Sequence, residues 1–105
     1  MSRSNNALSL ADYQKLIKDL VNQRGFSDET IAQKFMLLLE EAGEFAKAAR
    51  RRSGIKIDQQ SIKFELDLEA ADVFWMLLDL CNSLDIDLAE AFAEKERKNR
   101  SRSWS

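Results

Sequence analysis

Residues 37–45, Leu-Leu-Leu-Glu-Glu-Ala-Gly-Glu-Phe, place three carboxylates inside an apolar run of helical character. A second acidic segment, Glu-Ala-Ala-Asp at residues 69–72, leads directly into the apolar run Val-Phe-Trp-Met-Leu-Leu at residues 73–78. Carboxylates at such positions are costly to the fold unless a partner compensates their loss of solvation. We therefore expect the two acidic segments to meet in space and to hold a divalent metal ion.

Apolar residues recur at helical spacing along most of the chain, and no alternating strand pattern is evident. The 105 residues include three glycines and no proline, a composition that favours long helices. Helix starts are expected at Ser9 and Ser27 and at Asp85 or Asp87, because these residue types commonly cap helices. The sequence predicts a flexible tail over residues 1–8 and one all-α domain over residues 9–105, with helices over about 9–25, 27–52, 61–84 and 87 onward, and a loop over 55–60.

Two of the predicted helices carry an apolar seam with steps of three and four residues. In the second helix the seam comprises Ile31, Phe35, Leu38, Ala42, Phe45 and Ala49. In the third it comprises Ile62, Leu66, Ala70, Val73, Leu77, Leu80 and Leu84, and a further stripe comprises Phe74, Leu78 and Cys81. A helix that is apolar on two faces must be buried on both. We therefore expect a four-helix bundle that is completed by oligomerisation.

Two carboxylates of each helix lie along one edge of its seam. Glu41 and Glu44 are three residues apart, as are Glu69 and Asp72, and residues at this spacing share a helix face. Four carboxylates converge if the two helices pack antiparallel. The sequence has no histidine and one cysteine, so zinc sites built from these residue types are excluded and Mg²⁺, Mn²⁺ or Ca²⁺ is expected.

Two neighbouring residues bear on this interpretation. Glu40 adjoins the acidic set and is either a fifth ligand or the base that orients an attacking water. Gly43 costs about 1 kcal/mol relative to alanine within a helix, which indicates a close approach by another group. The alternative is that the carboxylates are solvated and pair with Lys47 or Lys63.

Charge and hydropathy exclude several other classes of protein. The net charge of −2 provides no basic field and argues against nucleic acid as a partner. The apolar runs are far shorter than the roughly 18 residues needed to span a membrane, and no signal peptide is expected, because residues 1–6 lead into no apolar segment. A cytoplasmic location is expected, and Cys81 is expected to pack in the core.

The acidic segments resemble a known family signature. Glu40-Glu41-x-x-Glu44, followed after 24 residues by Glu69-x-x-Asp72, is similar to the EExxE and ExxD motifs of the MazG-like all-α nucleoside triphosphate pyrophosphohydrolases. Dimeric dUTPases and dCTP pyrophosphatases belong to the same superfamily. The resemblance covers about residues 10–104.

The end of the chain adds to this resemblance. Lys95-x-x-x-Asn99-x-x-Arg102, with Trp104 close behind, looks like the K-x-x-x-N-x-x-R ending of the family. The resemblance implies that these four residues contact the phosphates or the sugar of a nucleotide substrate.

The family resemblance also implies a reaction and a site. The expected activity is hydrolysis of a (d)NTP to a (d)NMP and pyrophosphate through attack by metal-activated water, with Mg²⁺ as cofactor and Mn²⁺ as a substitute. The enzyme is expected to be a homodimer or a homotetramer. The implied metal ligands are Glu41, Glu44, Glu69 and Asp72, and the implied catalytic residues are Glu40 and Glu41.

Other functions remain open at this point. Met76 stands where some relatives carry an aromatic residue near the base or sugar, so the resemblance implies no base preference. The same site is also compatible with hydrolysis of a different pyrophosphate compound. A third possibility is a non-catalytic helical interaction module whose acidic edge binds a basic partner or Ca²⁺.

Overall fold

The computed structural model describes residues 7–54 and 59–102, which form four helices with short connections. They are α1 (Leu10–Gln23), α2 (Ile31–Gly54), α3 (Gln59–Ser83) and α4 (Leu88–Arg102). Within these two ranges there is no strand, and none of the helices is long and apolar enough to cross a membrane. The predicted all-α fold is confirmed. The predicted loop over 55–60 is wrong at Gln59 and Gln60, which are helical, while residues 55–58 lie outside the described ranges.

Hydroxyl side chains begin the first two helices. The Ser9 Oγ accepts a hydrogen bond from the Asp12 N–H at 3.0 Å, and the Asp12 carboxylate accepts one from the Ser9 N–H at 3.0 Å. The same reciprocal arrangement joins Thr30 to Gln33, at 3.1 and 2.8 Å, immediately before α2. The expected cap at Ser27 is therefore wrong, because Thr30 has a glutamine three residues later that completes the capping box.

The core lies between α1 and α3. Leu78 has no exposed surface and packs with Ile17 and Val21. Beside this cluster the rings of Tyr13 and Phe74 meet edge to face, with their centroids 5.6 Å apart. Helix α1 of the same chain thus covers Leu78 of the second apolar stripe of α3, while Phe74 of that stripe remains exposed. Cys81 is buried as expected, and burial raises the pKa of its thiol.

The side chain of Gln14 on α1 forms hydrogen bonds to the connection between α3 and α4. Its side-chain amide donates to the Asn82 Oδ1 at 3.0 Å and to the Ile86 carbonyl at 2.9 Å, while its Oε1 accepts from the Leu88 N–H at 2.9 Å. The Asp87 Oδ1 accepts from the Glu90 N–H at 3.2 Å, which confirms Asp87 as the cap of α4. Because of these bonds, α4 packs against α1.

Helices α2 and α3 pack antiparallel, as two ion pairs show. Lys34 near the start of α2 contacts Asp79 near the end of α3 at 2.9 Å, and Arg51 near the end of α2 contacts Glu65 at 3.0 Å. The Lys34–Asp79 pair is buried, whereas the Arg51–Glu65 pair is exposed.

The buried face of α2 differs from the predicted seam. Ile31, Phe35 and Phe45 are exposed in this chain, whereas Lys34 and Ala48 are buried. The Lys34 ammonium bonds Asp79 across the interface. Lys34 must face α3 to make this bond. The face of α2 that packs on α3 is therefore the one that carries Lys34, and not the predicted apolar seam. Glu41 lies two helical turns after Lys34 and so also faces α3.

Candidate metal centre

Three carboxylates converge where α2 and α3 face each other. One oxygen each from Glu41, Glu69 and Asp72 lies within 4.8 Å of the other two. Glu41 comes from α2, and the other two residues come from successive turns of α3. Glu41 and Glu69 are partly buried, and Asp72 is exposed. The antiparallel packing therefore brings together the two acidic segments, as the sequence predicts.

Burial, together with repulsion by neighbouring carboxylates, favours the protonated forms of Glu41 and Glu69. Partial burial raises the pKa of Glu41 above its ordinary value of 4.5, and the charges of Asp72 and Glu69 raise it further. Partial burial likewise raises the pKa of Glu69, with added effects from Asp72 and Glu44. A cation bound among the three oxygens would relieve this repulsion.

The other two predicted acidic residues lie at the edge of this cluster. Glu44 is exposed and is not among the three converging side chains, yet its charge raises the pKa of both Glu41 and Glu69. Glu40 is exposed and lines a separate surface pocket with Met36 and Leu37. Its charge also raises the pKa of Glu41.

Gly43 is not explained by close packing within this chain. Among the described residues, no atom lies within 4 Å of the position that a Cβ on Gly43 would occupy. The described residues of the single chain therefore do not supply the close approach, and they leave room beside Gly43.

A pocket of about 200 Å³ opens beside the carboxylates. It is lined by Glu41 and Asp72, by Trp75 and Met76 of the following turn, and by Arg24 at the end of α1. Sequence reasoning did not single out Arg24, because it lies 16 residues before the first acidic motif. The one signal in the sequence was its place directly before Gly25, the glycine expected to end the first helix.

The predicted substrate-binding residues of α4 lie elsewhere in the single chain. Lys95 and Asn99 belong to the helix that packs on α1, and Arg102 donates to the Asn99 Oδ1 at 3.2 Å. The described lining of the acidic pocket contains none of these three residues. Trp104 lies outside the described residues.

The three converging oxygens suit a hard divalent cation. In an octahedral Mg²⁺ site, ligand oxygens about 2.1 Å from the ion lie roughly 2.9–4.2 Å from one another. The three oxygens, within 4.8 Å of one another, lie close to this range. Carboxylate oxygens are the ligands that Mg²⁺ and Mn²⁺ prefer, so the residues present fit a metal of this class.

Comparison with known proteins identifies the family. The family model of the MazG nucleotide pyrophosphohydrolase domain matches residues 26–104. The chain belongs to this family. The match confirms the family resemblance carried by the acidic motifs. The three carboxylates thus lie between α2 and α3 of a MazG domain.

One relative of this MazG domain carries a more specific name. A dATP/dGTP diphosphohydrolase of Salmonella phage PMBT28 is 33% identical over 96 residues, which cover 91% of this chain. The chain spans only 28% of the length of that relative. Most of the phage protein therefore has no counterpart in this MazG domain.

Proposed function

We propose that this chain hydrolyses (d)NTPs between the α and β phosphates, giving a (d)NMP and pyrophosphate. The observation that carries the proposal is the convergence of Glu41, Glu69 and Asp72 on facing helices of a MazG domain. Water adds to the α phosphorus, the bond from that phosphorus to the α,β-bridging oxygen breaks, and a proton is released. The name of the phage relative makes dATP and dGTP the first substrates to test.

The three carboxylates would hold Mg²⁺, with Glu44 as a further ligand at the edge of the cluster and Mn²⁺ as a substitute ion. When bound, such an ion polarises a phosphoryl oxygen and lowers the pKa of water. Because the ion binds deprotonated carboxylates, the raised pKa values of Glu41 and Glu69 make its binding weaker as the pH falls. Metal and protons therefore compete for the same oxygens.

Glu40 is the proposed residue for orienting the attacking water. It is adjacent to Glu41 and its side chain is exposed, so its carboxylate is accessible to solvent at the edge of the cluster. Glu41 would contribute to catalysis as one of the three carboxylates that hold the ion. Glu40 would accept the proton of the attacking water, in line with general base catalysis by a carboxylate.

The basic end of α4 is proposed to bind the substrate. Lys95, Asn99 and Arg102, with Trp104, carry the amine, amide, guanidinium and indole groups that suit phosphates and a sugar or base. Helix α4 packs on α1, and the described lining of the pocket contains none of Lys95, Asn99 and Arg102. We therefore propose that these residues contact either a nucleotide that extends beyond the pocket or a nucleotide bound by a second copy of the chain.

A homodimer or a homotetramer is the proposed assembly. Several large apolar side chains of α2 face solvent, among them Met36 and Leu39, each 68% exposed. Exposed apolar side chains clustered on one helix are typical of surfaces that bind a partner. A second copy of α2 would cover these side chains. We also propose a cytoplasmic location, where nucleotides are abundant.

The direct test is product analysis. The purified protein is incubated with Mg²⁺ and each common dNTP and NTP, and the products are separated by ion-exchange chromatography. Monophosphate and pyrophosphate from the wild type, reduced at least a hundredfold in Glu41→Gln, support the proposal. Diphosphate and orthophosphate would contradict the cleavage position. Absence of turnover with every nucleotide would favour another pyrophosphate compound or the binding module.

A further inference from the structure

Arg24 supplies a positive charge to an otherwise acidic pocket. It follows the last residue of α1 and lines the pocket together with Glu41 of α2 and with Asp72, Trp75 and Met76 of α3. No other lysine or arginine is among the described residues that line this pocket. The pocket therefore combines one cation, two carboxylates of the metal cluster and an apolar wall.

The backbone at this position is held by hydrogen bonds. The Arg24 N–H donates to the Leu20 carbonyl at 2.9 Å, and the Phe26 N–H donates to the Val21 carbonyl at 3.0 Å. Between them Gly25 has a φ of +77°, a left-handed conformation that glycine adopts without strain and that commonly ends helices. The helix end thus holds the Arg24 backbone at the mouth of the acidic pocket.

The Arg24 side chain does not neutralise the carboxylates beside it. Across residues 7–54 and 59–102, none of the ion pairs joins Arg24 to Glu41 or Asp72. An arginine bonded to these groups would occupy oxygens that the metal cluster requires. A guanidinium near the carboxylates and not bonded to them is instead suited to an anion that binds in the same pocket.

We infer that Arg24 binds the phosphates of the bound nucleotide. Its planar set of N–H donors matches phosphate oxygens and can form two parallel charged hydrogen bonds. The inference rests on the proposed function, because it assumes a nucleotide whose phosphates meet the metal cluster. Arg24 precedes residue 26, where the family match begins, so this contact belongs to the first helix of this chain and not to the matched motifs.

The test compares Arg24→Ala and Arg24→Lys with the wild type. The probes are α,β-imido-dATP and α,β-imido-dGTP with Mg²⁺, measured by titration calorimetry, together with kcat and KM for dATP and dGTP. Arg24→Ala is expected to weaken binding of the analogues about tenfold or more, the usual effect of losing a charged hydrogen bond. Arg24→Lys is expected to lie between the wild type and Arg24→Ala, since it keeps the charge and loses the paired donors.

Two controls separate phosphate binding from a structural role. The affinity for Mn²⁺ alone is expected to stay within about twofold of the wild type in both variants, because Arg24 does not contact the carboxylates. Lys15→Ala removes a cation from the exposed face of the same helix, and it is expected to leave binding of the analogues unchanged. A fall in Mn²⁺ affinity that matches the loss of nucleotide binding would overturn the inference.

The remaining outcomes distinguish this inference from the proposed function. If the wild type releases pyrophosphate and Arg24→Ala binds the analogues equally well, the inference is wrong and the proposed function stands. If the wild type neither binds the analogues nor hydrolyses any nucleotide, both are wrong. If nucleotide binding fails in Arg24→Ala while Mn²⁺ binding persists, the assignment to phosphate is supported.

Discussion

Lys34 and Asp79 form a buried ion pair, with 2.9 Å between Nζ and Oδ1, two helical turns from the point where Glu41 faces Asp72. Lys34 precedes Glu41 by seven residues on α2, and Asp79 follows Asp72 by seven on α3. In antiparallel helices these equal displacements place both pairs on one interface. The ion pair and the three converging carboxylates therefore depend on the same register between the two helices.

Breaking this pair is expected to destabilise the fold strongly. Lys34→Met leaves the Asp79 carboxylate buried without its cation, which typically lowers the free energy of unfolding by about 3–5 kcal/mol. The double variant Lys34→Met/Asp79→Leu is expected to recover most of this loss, because neither charge then remains buried. Urea unfolding followed by circular dichroism measures both values.

Arg51→Ala provides the matched control for the buried pair. It removes the cation of the exposed Arg51–Glu65 pair, which joins the same two helices, and the expected loss is below about 1 kcal/mol. Equal losses for Lys34→Met and Arg51→Ala would contradict the special role of the buried pair in holding the register.

Binding of a divalent ion is expected to raise the melting temperature. At a free Mn²⁺ concentration about a hundred times the dissociation constant, binding to the folded state alone adds about 2.7 kcal/mol. Glu69→Gln removes one of the three converging carboxylates and should abolish most of this increase. The exposed Glu94→Gln on α4 should keep it. Differential scanning calorimetry with and without Mn²⁺ measures the effect, and an equal rise in both variants would place the ion elsewhere.

The raised pKa of Glu41 predicts a pH-dependent effect of Glu41→Gln in the absence of metal. Because the folded pKa lies above the unfolded one, the protonated carboxyl favours folding, and this benefit is lost as the pH rises through the folded pKa. Near pH 7 the uncharged glutamine is therefore expected to stabilise the metal-free protein. The difference should shrink as the pH falls toward the ordinary value of 4.5, where wild-type Glu41 also becomes protonated.

Melting temperatures of the two proteins in EDTA, measured from about pH 7 down to about pH 5, check this expectation. The sign should reverse when Mg²⁺ is added near neutral pH, because only the wild type then gains the full binding energy. A wild type that is more stable than Glu41→Gln in EDTA at neutral pH would contradict the assigned repulsion.

Gly43→Ala is expected to stabilise the isolated chain. With open space around its Cα, a Cβ meets nothing, and alanine favours a helix interior over glycine by about 1 kcal/mol. Chemical unfolding at low protein concentration measures the gain. Size-exclusion chromatography with light scattering, run beside it, shows the mass of the assembly. A loss of assembly or of nucleotide binding in this variant would reveal that a second copy or the substrate approaches Gly43.

Much of the fold was predictable because its signals are local. The capping box at Ser9 and the cap at Asp87 depend on residues three positions apart, and both are confirmed. The convergence of Glu41, Glu69 and Asp72 followed from their matching place on two helices and from antiparallel packing. These relations are predictable from one sequence because they depend only on the geometry of a helix.

The remainder depends on tertiary contacts that periodicity does not encode. Because Lys34 is charged, the spacing of apolar residues predicts a seam on α2 that excludes it. In the structure Lys34 is buried and bonded to Asp79. Ser27 and Thr30 are both residue types that cap helices, and the prediction from Ser27 places the start of α2 too early. The glutamine at position 33, whose N–H donates to the Thr30 Oγ1, decides between them. Arg24 follows α1 and lines the pocket beside Glu41 and Asp72, and its distance from them along the sequence gives no local signal of this placement.

The most direct test of the metal-dependent site is the initial rate of pyrophosphate release from dATP or dGTP as a function of Mg²⁺ concentration. The wild type is expected to saturate with Mg²⁺ and to lose activity in EDTA. Asp72→Asn is expected to require at least about tenfold more Mg²⁺ or to show no activity, because it removes a charged ligand. Pyrophosphate release that persists in EDTA, or an unchanged Mg²⁺ dependence in Asp72→Asn, would contradict a catalytic metal held by these three carboxylates.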